Sequence, residues 1–513
     1  MSNFRRTKPA RKPKSATPRR TATHQRFIGE ARKLIAADKL EEGHAKLNEL
    51  TSRWLKTPDP EVLFLHAVIA EKRGRDNEHL RYARQSVNLH HHTDAILSLA
   101  RALRKKGRTD ECCELCDEAL AMSPSLTGAP ILKAGALEEA GRFDEAEAIV
   151  SEALAAAESS GKPPSILLKD VHARILVQRK KHEQAVQVID DLLEDKAANE
   201  GVKRSTLHLR AKSCDRAKQF DEAWDSAVRA NEIGEIPFDP DLYTEQVDAL
   251  MEVWSRDHVS RFPIADCDSE LPVFIAGMPR SGTSLIDQIV DAHPKAAGVG
   301  ELATIESFAA ELAMAYNPDK EPPGCFGEFT NYRWTATANR YVEELQNAAE
   351  SGVERVVNKA LGNNRLVGLI SRLFPKTRII HAIRDPRDVA ISCFMGGFNN
   401  QRNAWTTRVE WASRAWVESA RLMEHWKQTL DVPILDVHYE KLVADPENEF
   451  PRLIEFLGLP WDDRCFDFYK SKRTVRTLSY DQVNRPIYTT SSGRHKNYEA
   501  FIKDIEFPEY ILA

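Results

Sequence analysis

Cysteine is scarce and unordered in this chain, with eight residues in 513 at no regular spacing. That excludes a disulfide framework. No stretch at the start reads as a signal peptide, so free thiols in a reducing, cytoplasmic setting are expected. The one tight group, Cys112, Cys113 and Cys116, lies in a helical segment with no second ligand pair nearby, which favours helix packing over zinc. His90, His91 and His92 lack the i, i+4 spacing that seats one ion and read as a polar helix end. No run of about 18 apolar residues is present, so no transmembrane helix is expected. Neither charge dominates: the net charge of −5 gives no argument for nucleic acid. Acid is missing altogether from residues 1–26, where nine Lys and Arg are interrupted by Pro9, Pro13 and Pro18. This basic arm is expected to be disordered, a solvated tail or an electrostatic tether. A targeting peptide would need an amphipathic helix, which three prolines oppose.

At 513 residues the chain is too long for one core. Residues 27–235 are rich in Ala, Leu, Glu, Lys and Arg and repeat themselves. Gly107-Arg108-Thr109-Asp110-Glu111 returns as Gly141-Arg142-Phe143-Asp144-Glu145, 34 residues on, the period of a tetratricopeptide repeat. Related units begin near Asp38, Gly74, Lys181 and Gln219. Helix pairs of this kind stack and bury their faces on their neighbours; an irregular bundle would have the same composition. Pro237 and Pro240 punctuate the array, and one further helix leads to a boundary near residue 265. The expected organisation is a basic arm (1–26), an all-α solenoid with a capping or linker helix (27–265) and an α/β domain (266–513).

In the last region, apolar runs at Leu271–Ala276, Arg355–Asn358, Arg378–Ile383 and Pro433–Val437 alternate with helical stretches, predicting a parallel sheet covered on both faces. Such sheets bind ligands beyond the carboxyl ends of their strands. The first run ends in Gly277-Met278-Pro279-Arg280-Ser281-Gly282-Thr283-Ser284, a strand–turn–helix with the glycine spacing of a P-loop. A turn of this kind is an anion site, because a helix start presents N–H groups and positive charge. Thr283 stands where a P-loop has its lysine, which makes NTP hydrolysis doubtful and weakens a nucleotide-kinase reading. Arg280 supplies a cation from inside the turn instead.

The phrase Pro279-Arg280-Ser281-Gly282-Thr283-Ser284 resembles the 5′-phosphosulfate loop of sulfotransferases that use 3′-phosphoadenylyl sulfate (PAPS). The segment Arg378–Ser392, with Arg384-Asp385-Pro386-Arg387 after a strand, resembles their 3′-phosphate motif, in which Arg384 and Ser392 would grip the phosphate while Asp385 and Asp388 orient arginines or cap the helix. Gly300-Glu301 and Asn358-Lys359 resemble steps of the tyrosylprotein sulfotransferases. The likeness implies that Glu301 is the catalytic base and that Lys359 contacts the sulfuryl group. His293, before Pro294, is a rival base but matches a structural position, and His381 lies inside a strand. Tyr439 matches a tyrosine of the nucleotide site, though a strand-end tyrosine reads the same way. By spacing, Ser479 and Arg494 match a C-terminal loop that closes over the nucleotide, with His495 where the family often has Trp.

The resemblance covers roughly residues 271–498. It implies a sulfotransferase with PAPS as co-substrate and no metal. Arg280, Lys359 and Ser479 would stabilise the transferring group. Pro279, Arg280, Ser281, Gly282, Thr283, Ser284, Arg384, Ser392, Tyr439, Ser479 and Arg494 would hold the donor. A protein or peptide acceptor, with tyrosine in view, is suggested by this likeness and by the array's concave face; a glycan or small molecule stays open, as does a homodimer. The alternative is a tetratricopeptide scaffold whose α/β domain binds nucleotide without turnover.

Overall fold

The computed structural model describes residues 21–510, apart from 56, 162, 235, 318, 321–323, 327–329, 399–402, 471–485 and 489–490. It divides into two compact units, Met1–Ala197 and Ala198–Ala513. Most of the basic arm lies outside the described residues.

The first unit is an all-helical tetratricopeptide-type array of antiparallel pairs: α1 (Ala22–Ala36) with α2 (Leu40–Trp54), α3 (Pro60–Lys72) with α4 (Asp76–Leu89), α5 (Thr93–Lys105) with α6 (Thr109–Met122), α7 (Gly128–Glu139) with α8 (Phe143–Ser159), and α9 (Ile166–Gln178) with α10 (His182–Leu193). Each pair turns through one left-handed residue, at Asp38, Gly74, Gly107, Gly141 and Lys180. The turn is closed by the amide two residues past the helix C-cap, as in Arg108 N–H to the Leu103 carbonyl (3.0 Å) and Lys181 N–H to that of Leu176 (2.9 Å). This is a Schellman ending, which favours glycine at the left-handed position. Lys180 is held there at φ 60°, whereas a Cβ at Gly141 (φ 74°) would meet nothing within 4 Å. The cost of a side chain at this turn is therefore one of backbone alone. Lys180→Gly is expected to stabilise the unit and Gly141→Ala to destabilise it, each by about 1 kcal/mol, read from denaturant midpoints.

Five residues past each turn, Gly43, His79, Cys112, Ala146 and Ala185 are all buried where the helices of a pair cross. Small residues permit the close approach; His79 fits by bonding Ser98 Oγ (3.1 Å). Cys112 is thus a packing residue, as is Cys116 one turn on, and all eight cysteines are free thiols. His92 caps α5, its ring nitrogen accepting from Ala95 N–H. The core is a chain of separate clusters, one around Leu47, Leu50 and Leu65, the next around Ile96, Leu103 and Cys112, and another around Leu137, Val150 and Val171. Each is shared between adjacent pairs, as expected of an array whose units cannot bury themselves alone.

The second unit opens with another hairpin of the same pattern, α11 (Glu200–Arg216) and α12 (Phe220–Glu232), then α13 (Pro240–Val253) and the single turn α14 (Arg256–Val259). The division at Ala197/Ala198 precedes the change of composition near residue 265 because these helices bury their aromatic faces on residues later in the chain. Trp224 packs on Phe394 and Phe501, both at 4.9 Å, and Trp254 stacks on Phe262 at 4.3 Å.

A five-stranded parallel sheet follows, in the order β2-β3-β1-β4-β5. Its strands are β1 (Pro272–Gly277), β2 (Ala296–Gly300), β3 (Arg355–Asn358), β4 (Arg378–Ile383) and β5 (Ile434–His438). The helices are α15 (Thr283–Asp291), α16 (Thr304–Met314), α17 (Asn331–Ala348), α18 (Asn363–Leu373), α19 (Pro386–Phe394), α20 (Val409–Thr429), α21 (Tyr439–Ala444) and α22 (Pro446–Phe456). They cover both faces. One core joins Phe274 and Val356 to α13, α16–α18 and α20; the other joins Ile275 and Ile380 to α15, α21 and α22. The strand order reverses at the central β1, so the crevice for a ligand opens at its carboxyl end. Among the described residues, no helix is long and apolar enough to cross a membrane.

Candidate active site

Strand β1 delivers the glycine turn to that crevice. Gly277 is required by close approach, since a Cβ there would lie 2.5 Å from the Ala382 carbonyl oxygen of β4. Gly282 caps α15 in the left-handed region (φ 95°), and a Cβ would strike the Tyr439 ring at 2.7 Å. Between them Arg280 also adopts φ 70°, a strained conformation for a residue with a side chain. The turn aims the N-terminus of α15 into a cleft of about 510 Å³ lined by Arg280, Gly282, Thr283, Ser284, Arg384 and Tyr439, with Leu285, Val443, Phe468, Ile487 and Tyr488 as its less polar wall. Pro279 and Ser281 are buried in the turn, and the Pro279 carbonyl accepts from the Cys393 thiol (3.6 Å).

The two motifs meet in one constellation. Arg280 Nε donates to Ser392 Oγ at 2.8 Å, and Arg384 Nη1 donates to the Arg280 carbonyl at 2.9 Å. Arg384, nearly buried, also donates to the Ser491 carbonyl and lies 4.6 Å above the Tyr439 ring. Burial pushes the Arg280 guanidinium down to about 10; Arg384 and Arg494 push the same way, against the thiol of Cys393 and the phenol of Tyr488. It is still charged at neutral pH, so the site concentrates positive charge with little water to screen it. Asp385 caps α19 by accepting from Arg387 N–H (2.9 Å), and pairs with the Arg387 side chain. Asp388 is buried beside Arg384 at 3.5 Å.

Glu301 and Lys359 stand at the same edge of the sheet, at the ends of β2 and β3. Lys359 Nζ donates to Glu301 Oε1 at 2.8 Å. Lys359 is 3% exposed and Glu301 42%, so the carboxylate reaches solvent while the ammonium is sunk behind it. Below them Asn358 ties the two strand ends together, donating to the Leu302 carbonyl (3.1 Å) and to Tyr341 Oη (2.8 Å). His293 Nε2 lies 2.7 Å from the Pro460 carbonyl, and His381 pairs with Asp436 at 2.9 Å, both in structural roles.

The structure thus brings together Pro279, Arg280, Ser281, Gly282, Thr283, Ser284, Arg384, Ser392 and Tyr439, and separately Glu301 with Lys359. Ser479 lies outside the described residues. Arg494 turns to Asp215 of α11 (3.0 Å). The cleft wall from Phe468 and Tyr488 was not foreseen, for isolated aromatics after the last strand carry no spacing signal.

A nucleotide with phosphate at both ends suits this site on three observations. Buried Arg384 Nε has no hydrogen-bond partner among the described residues. Gly282 keeps open a cradle that a Cβ would close. The polar lining is cationic and hydroxylic.

These features define a parallel α/β domain with a lysine-less phosphate turn and a second arginine site beside it. Residues 272–463 match the model of the Sulfotransferase family. The chain is 29% identical to an uncharacterized protein of Aquifex aeolicus over 350 residues, 67% of this chain and 46% of that one. It is 27% identical to protein-tyrosine sulfotransferase A of Caenorhabditis elegans over 263 residues, 47% of this chain and 63% of that one. A similar match, 27% over 207 residues, covers 38% of this chain and 53% of protein-tyrosine sulfotransferase 2 of Gallus gallus. The chain therefore spans about half to two thirds of the length of these relatives.

Proposed function

We propose that the chain is a PAPS-dependent sulfotransferase acting on an acceptor hydroxyl, with a protein or peptide tyrosine as the favoured acceptor and residues 266–513 as the transferase domain. The observation that carries this reading is the Arg280–Ser392 bond, with Arg384 on the Arg280 carbonyl: it joins the phosphate turn to the second arginine site. A kinase has no use for a second phosphate pocket. The Pro279–Ser284 turn would hold the 5′-phosphosulfate, and Arg384 with Ser392 the 3′-phosphate. Glu301 Oε accepts the proton of the acceptor hydroxyl as its oxygen bonds sulfur and the bond from sulfur to the bridging phosphate oxygen breaks. Lys359 and Arg280 balance charge on that departing oxygen, with Ser479 and Arg494 assigned to the closing loop. The tyrosine acceptor rests on the names of the similar worm and chicken proteins, and the peptide on the array. Eight free cysteines support a cytoplasmic setting.

Calorimetric titration of the full chain tests the donor. Adenosine 3′,5′-bisphosphate is expected to bind without Mg²⁺, and removal of its 3′-phosphate to weaken binding by roughly 30-fold or more, the loss of one charge-assisted pair. Preference for ATP with Mg²⁺ overturns the reading. Binding of the bisphosphate without transfer to any tyrosine peptide, glycan or phenol supports the non-catalytic scaffold.

A further inference from the structure

Beyond the family-matched segment, the residues Ser491–Tyr498 run between two buried or half-buried acids on different helices. Asp388 of α19 accepts from the Gly493 amide (2.7 Å), the His495 amide (2.8 Å) and His495 Nδ1 (2.9 Å). Arg494, between them, faces the other way. Its guanidinium pairs with Asp215 near the end of α11 (Nη2 at 3.0 Å), and Tyr498 donates its hydroxyl to the same carboxylate oxygen at 2.5 Å. At its start, the Ser491 carbonyl accepts from Arg384. The segment therefore touches the 3′-phosphate candidate at one end and α11 at the other.

The α11–α12 hairpin grips the same region elsewhere. Arg204 donates to the Phe398 carbonyl (2.7 Å), and Asn231 to that of Phe394 at the end of α19 (2.9 Å). Phe220 meets the Tyr498 ring at 5.5 Å, edge to face. Two carboxylates thus divide one short segment between them. Arg494 is close enough to Arg280 to oppose its charge, and the Asp215 carboxylate beside Arg494 offsets part of that charge.

We infer that Asp215 is a positioning residue for the donor site: it orients Arg494 and, with Asp388, pins the segment Ser491–Tyr498 so that Arg384 and its neighbours are set for the bisphosphate. This rests on the donor reading above. It makes donor affinity a property of a helix that the family match does not include, so that a repeat-type hairpin completes the nucleotide site.

The test uses full-length Asp215→Asn and Asp215→Glu with calorimetric titration of adenosine 3′,5′-bisphosphate, thermal melts and hydrogen exchange of the segment 491–498. Asparagine is expected to weaken the bisphosphate about tenfold, the loss of one charged hydrogen bond, and to speed exchange in the segment. Glutamate is expected to restore most of both. In turnover, the loss should fall on the donor KM and not on the acceptor KM. Should Asp215→Asn fail to fold, Tyr498→Phe removes one donor to the same carboxylate and keeps the ring; a smaller loss of the same kind is expected. Wild-type-like affinity in a folded variant overturns the inference and leaves the donor reading standing, as does a loss that glutamate does not recover with exchange unchanged. A wild type that binds no bisphosphate overturns both.

Discussion

Glutamine in place of Glu301 lowers the transfer rate by roughly 100- to 10,000-fold, the range for removal of a positioned general base, while adenosine 3′,5′-bisphosphate binds as before. The geometry supports both halves of this expectation. Glu301 is half-exposed at the end of β2, two strands from the β1 turn, so it contributes nothing to the arginine constellation that would hold the donor. Its carboxylate is turned to solvent on one side and to Lys359 on the other. Glutamine keeps the size and can still accept a hydrogen bond from Lys359, but it cannot carry a proton away from an acceptor. Single-turnover transfer with bound donor is the measurement, because it isolates the chemical step from release. A variant that still transfers at near the wild-type rate would remove Glu301 from the mechanism. Lys359→Ala makes the complementary loss, leaving the departing oxygen without its cation.

Arg384→Ala should lose donor affinity by about 2–4 kcal/mol, roughly 30- to 1,000-fold, as expected on truncating a buried, hydrogen-bonded charge. The residue has three simultaneous duties: it donates to the Arg280 carbonyl, to the Ser491 carbonyl and across to Asp388, with its flat face on Tyr439. Alanine leaves Asp388 without its neighbouring cation and frees the strained Arg280 turn, so part of the loss is disorder of the site. Arg384→Lys separates the contributions. It keeps the charge but has no planar fork, and is expected to recover less than half of the lost free energy, since a lysine is not a bidentate phosphate ligand. Titration of the bisphosphate against both variants decides; equal affinity in all three proteins would mean that the arginine at the tip of β4 does not meet the ligand.

Much of this architecture was legible in the residues. The repeat announced itself in the 34-residue spacing of Gly107 and Gly141, and the two arginine-bearing turns in Arg280 and in Arg384 with Ser392, because each depends on a local pattern in the chain. Strand β2 escaped detection. Its residues Ala296–Gly300 are all Ala or Gly except Val299, too few branched side chains to read as a strand, and it pairs with β3 through a bulge at Gly298 and Gly300. It sits at the sheet edge, where tertiary pairing alone makes it extended. Yet its end delivers Glu301.

The hairpin α11–α12 shows the other limit. Its turn at Lys218 and its Ala223 are those of the array, so local pattern assigns it there, but its Trp224 and Phe220 pack on Phe394 and Tyr498, later in the chain. Amphipathic spacing says that a face will be buried and is silent on which partner buries it. Arg494 likewise has a phosphate-ready spacing, and folding gives it Asp215, a residue far off in sequence.

By itself, then, the sequence determined the repeat turns, the parallel strands of apolar residues and the cationic glycine turn, since these follow from backbone preference and short-range periodicity. Tertiary structure alone decided that Arg280, Ser392 and Arg384 share one site, that Glu301 meets Lys359, and that α11 reaches Arg494 and Tyr498. Those pairings are made across strands and helices, where complementary charge, donors and shape become neighbours only after the chain has folded.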